Sequence, residues 1–358
     1  MTDEPLARRE SDVDEPLARR STGTAWAKGT GVGSWPGLDV RAATEIVAAE
    51  LPLAHIVELP ARGVGADLIG RAAALLVDIA VDVAPTGYRT TARPGAVVRR
   101  ARGFLDQDMD ALEEEWERGG HRGSDRVVKV QGPGPVTLAA QLELPNGHRA
   151  ITDPGAVRDL AESLAEGLAQ QQATVSRRLG VPVVVQIDEP SLTAALDGRL
   201  SGTSMFSPVH PVDIATATRL LDLCALAVGG ELLVHCCAAD LPWELLRGAD
   251  IRGIAVDAAY LTDAQALDGL ASVLDTGKTA VLGVIPSIAP SVPISAEVLA
   301  TRTAALADKL GFGRAVLRDR IGISTGCGLA GADLQWARTA TELTRKVSEF
   351  IESDPEAL

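Results

Sequence analysis

Aromatic side chains make up only 3% of this 358-residue chain. Ala, Leu, Val and Gly dominate instead, which suits helices packed on a buried sheet better than a sandwich of short strands. Cysteine is equally sparse. Four cysteines without a paired framework exclude a disulfide-stapled domain and fit a reducing compartment, where a thiol serves burial, metal binding or catalysis. Basic residues are outnumbered, 34 against 48 acidic ones, for a formal charge of −14. That balance argues against nucleic acid and against anionic lipid, both of which demand clustered Lys and Arg. No apolar run approaches the roughly 18–20 residues needed to cross a bilayer. The first residues, acidic and Arg-rich with no apolar stretch, do not form a secretory signal, so a cytoplasmic location and small-molecule chemistry are expected.

What the chain does have is a repeating alternation. The heptapeptide "DEPLARR" occurs at 3–9 and again at 14–20, and this charged duplication predicts a disordered tail over 1–24. From residue 25 to 358 short β-branched runs alternate with longer helical ones, the pattern of βα units and a parallel sheet. Eight runs qualify as strands: 29–34, 55–59, 127–131, 182–188, 231–236, 253–257, 279–285 and 319–324. The clearest helix covers 154–179, with Asp153 at its N-cap, Pro154 in the first turn and Gly180 just beyond its end. Further helices are expected over 41–51, 64–81, 212–228, 263–275, 295–310 and 332–352. The stretch 86–126 reads either as an insertion over a site or as solvated decoration. Eight strands with intervening helices predict a (βα)8 barrel, whose functional groups sit where strands end and βα loops begin.

Polar residues collect at those ends: Ser34, Glu58, Asp188 with Glu189, His235, Cys237, Asp257 and Cys327. Side chains alternate along a strand, so "HCC" at 235–237 is read as His-x-Cys, with Cys236 turned away. His235, Cys237, Cys327 and Asp257 together offer the nitrogen, sulfur and oxygen donors of a tetrahedral zinc site. The competing reading of each cysteine is a small buried hydrophobe, and for Cys224 and Cys236 packing is the expectation.

Six motifs in order, "GVGSWP", "VELPARG", "GPGPVT", "QIDEP", "VHCC" and "STGCGL", make residues 29 to 335 resemble the catalytic C-terminal barrel of cobalamin-independent methionine synthase, as a one-barrel member. The resemblance implies zinc held by His235, Cys237, Asp257 and Cys327, with Asp standing where the family has Glu. It further implies that Val32, Gly33 and Ser34, with Glu58 and Asp188, hold the amino acid part of homocysteine, and that methyl transfer to its thiol gives methionine. Carboxylates suit an ammonium, and a serine hydroxyl with backbone N–H groups suits a carboxylate.

Three positions depart from the family. Gln141 stands where a pterin-stacking tryptophan is expected, Ala194 where an acid contacts the pterin, and Ile288 where a histidine donates a proton. Since N5 of a folate must be protonated to leave, the donor is expected to be either a folate or a more activated species such as a methylated corrinoid protein. Two alternatives remain open from sequence: a zinc-dependent alkyltransferase or lyase acting on another small thiol, and a non-catalytic zinc- or thiol-binding relative.

Overall fold

The computed structural model describes residues 25–202 and 208–358; the tail expected over 1–24 lies outside them. Seven parallel strands pair in sequence order to form one curled sheet: β1 (Ala54–His55), β4 (Val128–Pro133), β6 (Val183–Asp188), β7 (Leu232–His235), β8 (Gly253–Asp257), β9 (Thr279–Ile285) and β10 (Ile321–Thr325). The gap between first and last is closed by residues 29 and 30, which bridge Ile323 on one side and Leu53 on the other. Thr30 N donates to Ile323 O at 2.8 Å and Leu53 N to Gly29 O at 3.0 Å. The fold is therefore a TIM-barrel-like one, and all eight expected strand segments take their places in it.

Alternation along the strands divides each between two environments. Val185 and Ile187 join the large apolar layer between sheet and helices. Val184, Leu233, Ala255 and Val281 turn the other way and pack with Trp26 and Leu53 in a smaller cluster. Further along the same inward-facing rows stand Lys129, Gln186, Asp188 and His235, all buried. Apolar filling thus occupies one end of the barrel and a polar layer the other, where the strands end.

The helices follow their sequence signals. Pro154–Leu179 is helical, Asp153 accepts from Gly155 and Ala156 N–H, and Gly180 closes the helix at φ 68°, the left-handed conformation that glycine adopts at no steric cost. No helix among the described residues is long and apolar enough to cross a membrane.

The region after residue 64 differs from expectation. The helix over 64–81 is only Leu68–Leu75, and residues 80–91 form a hairpin of β2 (Ala80–Ala84) and β3 (Gly87–Thr91). β3 pairs with β5 (Leu142–Glu143) to make a second, three-stranded sheet, and Ala96–Arg118 is one long helix. The alternation in "AVDVA" carries the strand, but the helical spacing just before it runs on without a break in sequence. This insertion is not mere decoration. Its helix supplies Asp108, fully buried, whose carboxylate meets Arg71 at 2.5 Å and Arg62 at 2.7 Å.

Candidate active site

His235 ends β7 in register with Asp188 of β6. Its Nδ1 lies 2.8 Å from Asp188 Oδ1, and its Nε2 is buried without a hydrogen-bond partner among the described residues. A carboxylate on Nδ1 fixes the proton there and leaves Nε2 with a free lone pair, the form a metal binds. Burial opposes charge on this ring, but Asp188 outweighs it and raises the His235 pKa.

Two residues on, past the strand end, Cys237 meets Cys327, their sulfurs 3.2 Å apart. Ser287 and Thr325 set the Cys327 backbone: Cys327 N donates to Ser287 Oγ at 2.7 Å and Thr325 Oγ1 donates to Cys327 O at 2.7 Å. One ligand atom from each of His235, Cys237 and Cys327 lies within 4.8 Å of the others. The hydrogen bond with Cys237 lowers the Cys327 pKa to about 6, and the same contact raises that of Cys237. An unpartnered imidazole nitrogen beside two adjacent sulfurs fits the donor set of a zinc site.

Of the four expected ligands, the structure brings three together. Asp257 ends β8, but its Oδ1 accepts from Ala259 N at 2.9 Å. A Cβ added to Gly326 would fall 2.8 Å from the Asp257 carboxyl carbon, so the chain leaving β10 passes directly beside it. Asp257 lines a neighbouring cavity with Gly326 and Ile288, outside the three-residue group.

The three grouped residues share one cavity of about 190 Å3 with Val32, Ser34, Glu58 and Asp188. Gly33 acts through its backbone: its carbonyl accepts from Glu58 N at 3.1 Å, and Trp35 N returns a bond to Glu58 O at 2.8 Å, so Ser34 and Glu58 are directly paired. Leu329 N, two residues past Cys327, donates to Ser34 O at 2.9 Å. Glu58 is buried, which raises its carboxyl to about 7, while Arg71 at 3.4 Å pulls the other way.

Several supporting residues were not singled out in the sequence. Arg71 and Asp108 brace Glu58 from behind, and Lys129 and Gln186 lie beneath the turn at 32–34. The signal was present for the last two: Lys129 and Gln131, and Gln186 and Asp188, are polar residues at period two in strands buried on both faces. Glu189 proves structural. It accepts from Val136 N at 2.9 Å, Thr137 N at 2.8 Å and Thr137 Oγ1 at 2.6 Å, capping the helix Pro135–Gln141. Cys224 and Cys236 are buried in the apolar layer, as expected.

A family model described as the catalytic domain of cobalamin-independent synthase matches residues 27–349. The chain belongs to that family. Among solved structures it is similar to a B12-independent methionine synthase from Shewanella sp. W3-18-1 in complex with selenomethionine. The identity is 14%, the match covers 92% of this chain and 98% of that one, and the TM-score is 0.60. At that identity the likeness is one of fold. Among curated proteins none matches this chain. A corrinoid donor, one of the two options drawn from the sequence, finds no support in a family described as cobalamin-independent.

Proposed function

We propose that this cobalamin-independent synthase is a zinc-dependent S-methyltransferase that methylates the thiol of homocysteine, with a folate-type donor. One observation carries the reading: His235, Cys237 and Cys327 gather within 4.8 Å and face the cavity that also holds Ser34, Glu58 and Asp188. The groups that suit a metal and the groups that suit an amino acid thus line one cavity.

Zinc would be held by His235, Cys237 and Cys327, with Asp257, beside Gly326, as the fourth ligand; when bound it supplies a Lewis acid that keeps a substrate sulfur as thiolate. The chain's own residues do the rest. Asp188 keeps the His235 proton on Nδ1. Glu58 and Asp188 offer carboxylates to the substrate ammonium, and the Val32–Gly33–Ser34 turn offers its backbone and hydroxyl to the carboxylate. Fixing both ends of the amino acid aims its thiol at the cluster, which is the positioning that converts an encounter into a reaction.

The donor side is built differently from the family pattern. Gln141 Nε2 donates to Ser191 Oγ at 3.1 Å, and Ile288 is 57% exposed where a proton donor is expected. The test is turnover by zinc-loaded protein with homocysteine and methyl-folate, beside metal analysis of Cys237→Ser and Cys327→Ser. Retention of one tightly bound zinc by both variants would remove the site; loss of zinc by the variants together with no methionine formed by the zinc-loaded wild type would remove the reaction.

A further inference from the structure

We infer that Lys129 is a positioning residue: from beneath the pocket it ties the substrate-side turn at 32–34 to the metal side at His235. The inference rests on the methyltransferase reading above and adds to it a residue with no contact to the substrate.

Lys129 has no exposed surface. A buried amine is costly unless it is hydrogen-bonded, and here three acceptors surround its nitrogen: Gly31 O, Val32 O at 3.0 Å and Gln186 Oε1 at 2.6 Å. The first two acceptors matter because the strand at 29–30 leaves its ladder at this point. Residues 29 and 30 bridge their neighbours and pairing resumes only at Ser34; between them the carbonyls of Gly31 and Val32 are met by side chains. The Gln186 amide continues the line, donating to Val32 O at 2.9 Å and to Asp188 Oδ1 at 2.7 Å. The same Asp188 oxygen accepts from His235 Nδ1. Lys129 and Gln186 therefore stand in for missing ladder donors on one side and orient the His235 carboxylate partner on the other. An apolar residue of the same length would fill the space more cheaply. What it would not do is hold the turn in register with the ligand.

The test compares two thiols. Cobalt is loaded in place of zinc into the full chain, and the sulfur-to-cobalt charge-transfer band is followed during titration with homocysteine or with 1-propanethiol, which has no amino or carboxylate group to engage the turn. Lys129→Met should retain one cobalt per chain and weaken homocysteine by about 10-fold or more, the loss expected for removing a charged hydrogen-bond donor. Propanethiol should change by no more than about 2-fold, a margin of roughly 0.4 kcal/mol. Equal weakening of both thiols, or of neither, overturns the positioning role. If Lys129→Met does not fold, Lys129→Gln withdraws the donor from the turn carbonyls without touching the Gln186–Asp188 contact and is read in the same way. Wild-type protein that gives no band with homocysteine overturns the methyltransferase reading, and this inference with it; a wild-type band left unchanged by the variant overturns this inference alone.

Discussion

The sulfurs of Cys237 and Cys327 lie 3.2 Å apart although 90 residues separate them in the chain. Such proximity, with the Cys327 pKa lowered by the hydrogen bond from Cys237, makes the pair a reactive one when no metal is bound. In metal-free protein, alkylation by iodoacetamide should fall first on Cys327 and follow an apparent pKa near 6, the rate declining as pH drops below it. In Cys237→Ala the hydrogen bond is gone and the profile should move toward that of an ordinary thiol. Mass spectrometry of the labelled peptide reads both; labelling spread equally over all four cysteines would contradict the assignment.

Asp188 offers a second test through His235. Replacing it with Asn keeps the shape but removes the charge that holds the imidazole proton on Nδ1. Partners of metal-bound histidines are typically worth 10- to 100-fold in metal affinity, so Asp188→Asn should weaken zinc by about that factor in a competition with a chromophoric chelator. An unchanged affinity would mean that the bond at 2.8 Å does not orient the ring for metal. Asp257→Ala should weaken zinc without abolishing it, because the three grouped residues remain.

The carboxyl of Glu58, raised to about 7 by burial, ties substrate binding to pH. Below pH 7 it is protonated and cannot pair with an ammonium, so the KM for homocysteine should rise as pH falls through 7, and in Glu58→Gln should be high and flat. The stability effect has the opposite sense. A carboxyl whose folded pKa exceeds its unfolded value of about 4.5 binds more protons when folded between those limits, so its contribution to stability is present below pH 4.5 and is lost as pH rises through 7. Urea denaturation at pH 5 and pH 8 should show a smaller difference in Glu58→Gln than in the wild type.

Glu189 is adjacent to Asp188 yet does a different job. Its three bonds to Val136 and Thr137 hold the start of a helix, and Glu189→Ala should cost about 3 kcal/mol of stability, seen as a lower urea midpoint, while folded protein still binds zinc. Glycine at 134 is required by the same contact: a Cβ there would stand 2.2 Å from Glu189 Oε1, so Gly134→Ala should destabilise similarly.

The comparison of sequence with structure turns on what each residue depends on. The strands were legible because parallel strands covered on both faces read as β-branched runs, and the caps Asp153 and Gly180 bracket their helix by purely local chemistry. The grouping of His235, Cys237 and Cys327 follows from the convergence of barrel strand ends. Whether Asp257 joins them depends on how closely Gly326 passes, a distance no local pattern encodes. Arg71 and Asp108 were hidden for a related reason: they brace Glu58 across an inserted helix, and a salt bridge between residues 37 positions apart leaves no trace in spacing. Lys129 carried a signal in its polar alternation with Gln131, but that signal marks an inward face without saying what the face does.

The seam of the barrel has a consequence for how the molecule comes into being. Residues 29 and 30 find one of their two neighbours at Ile323, nearly the whole polypeptide later, and that same last strand delivers Cys327 four residues on. Closing the cylinder and bringing the Cys327 sulfur to Cys237 are therefore one event: until residues 321–325 dock beside 29–30, the molecule has neither a closed sheet nor its paired thiols.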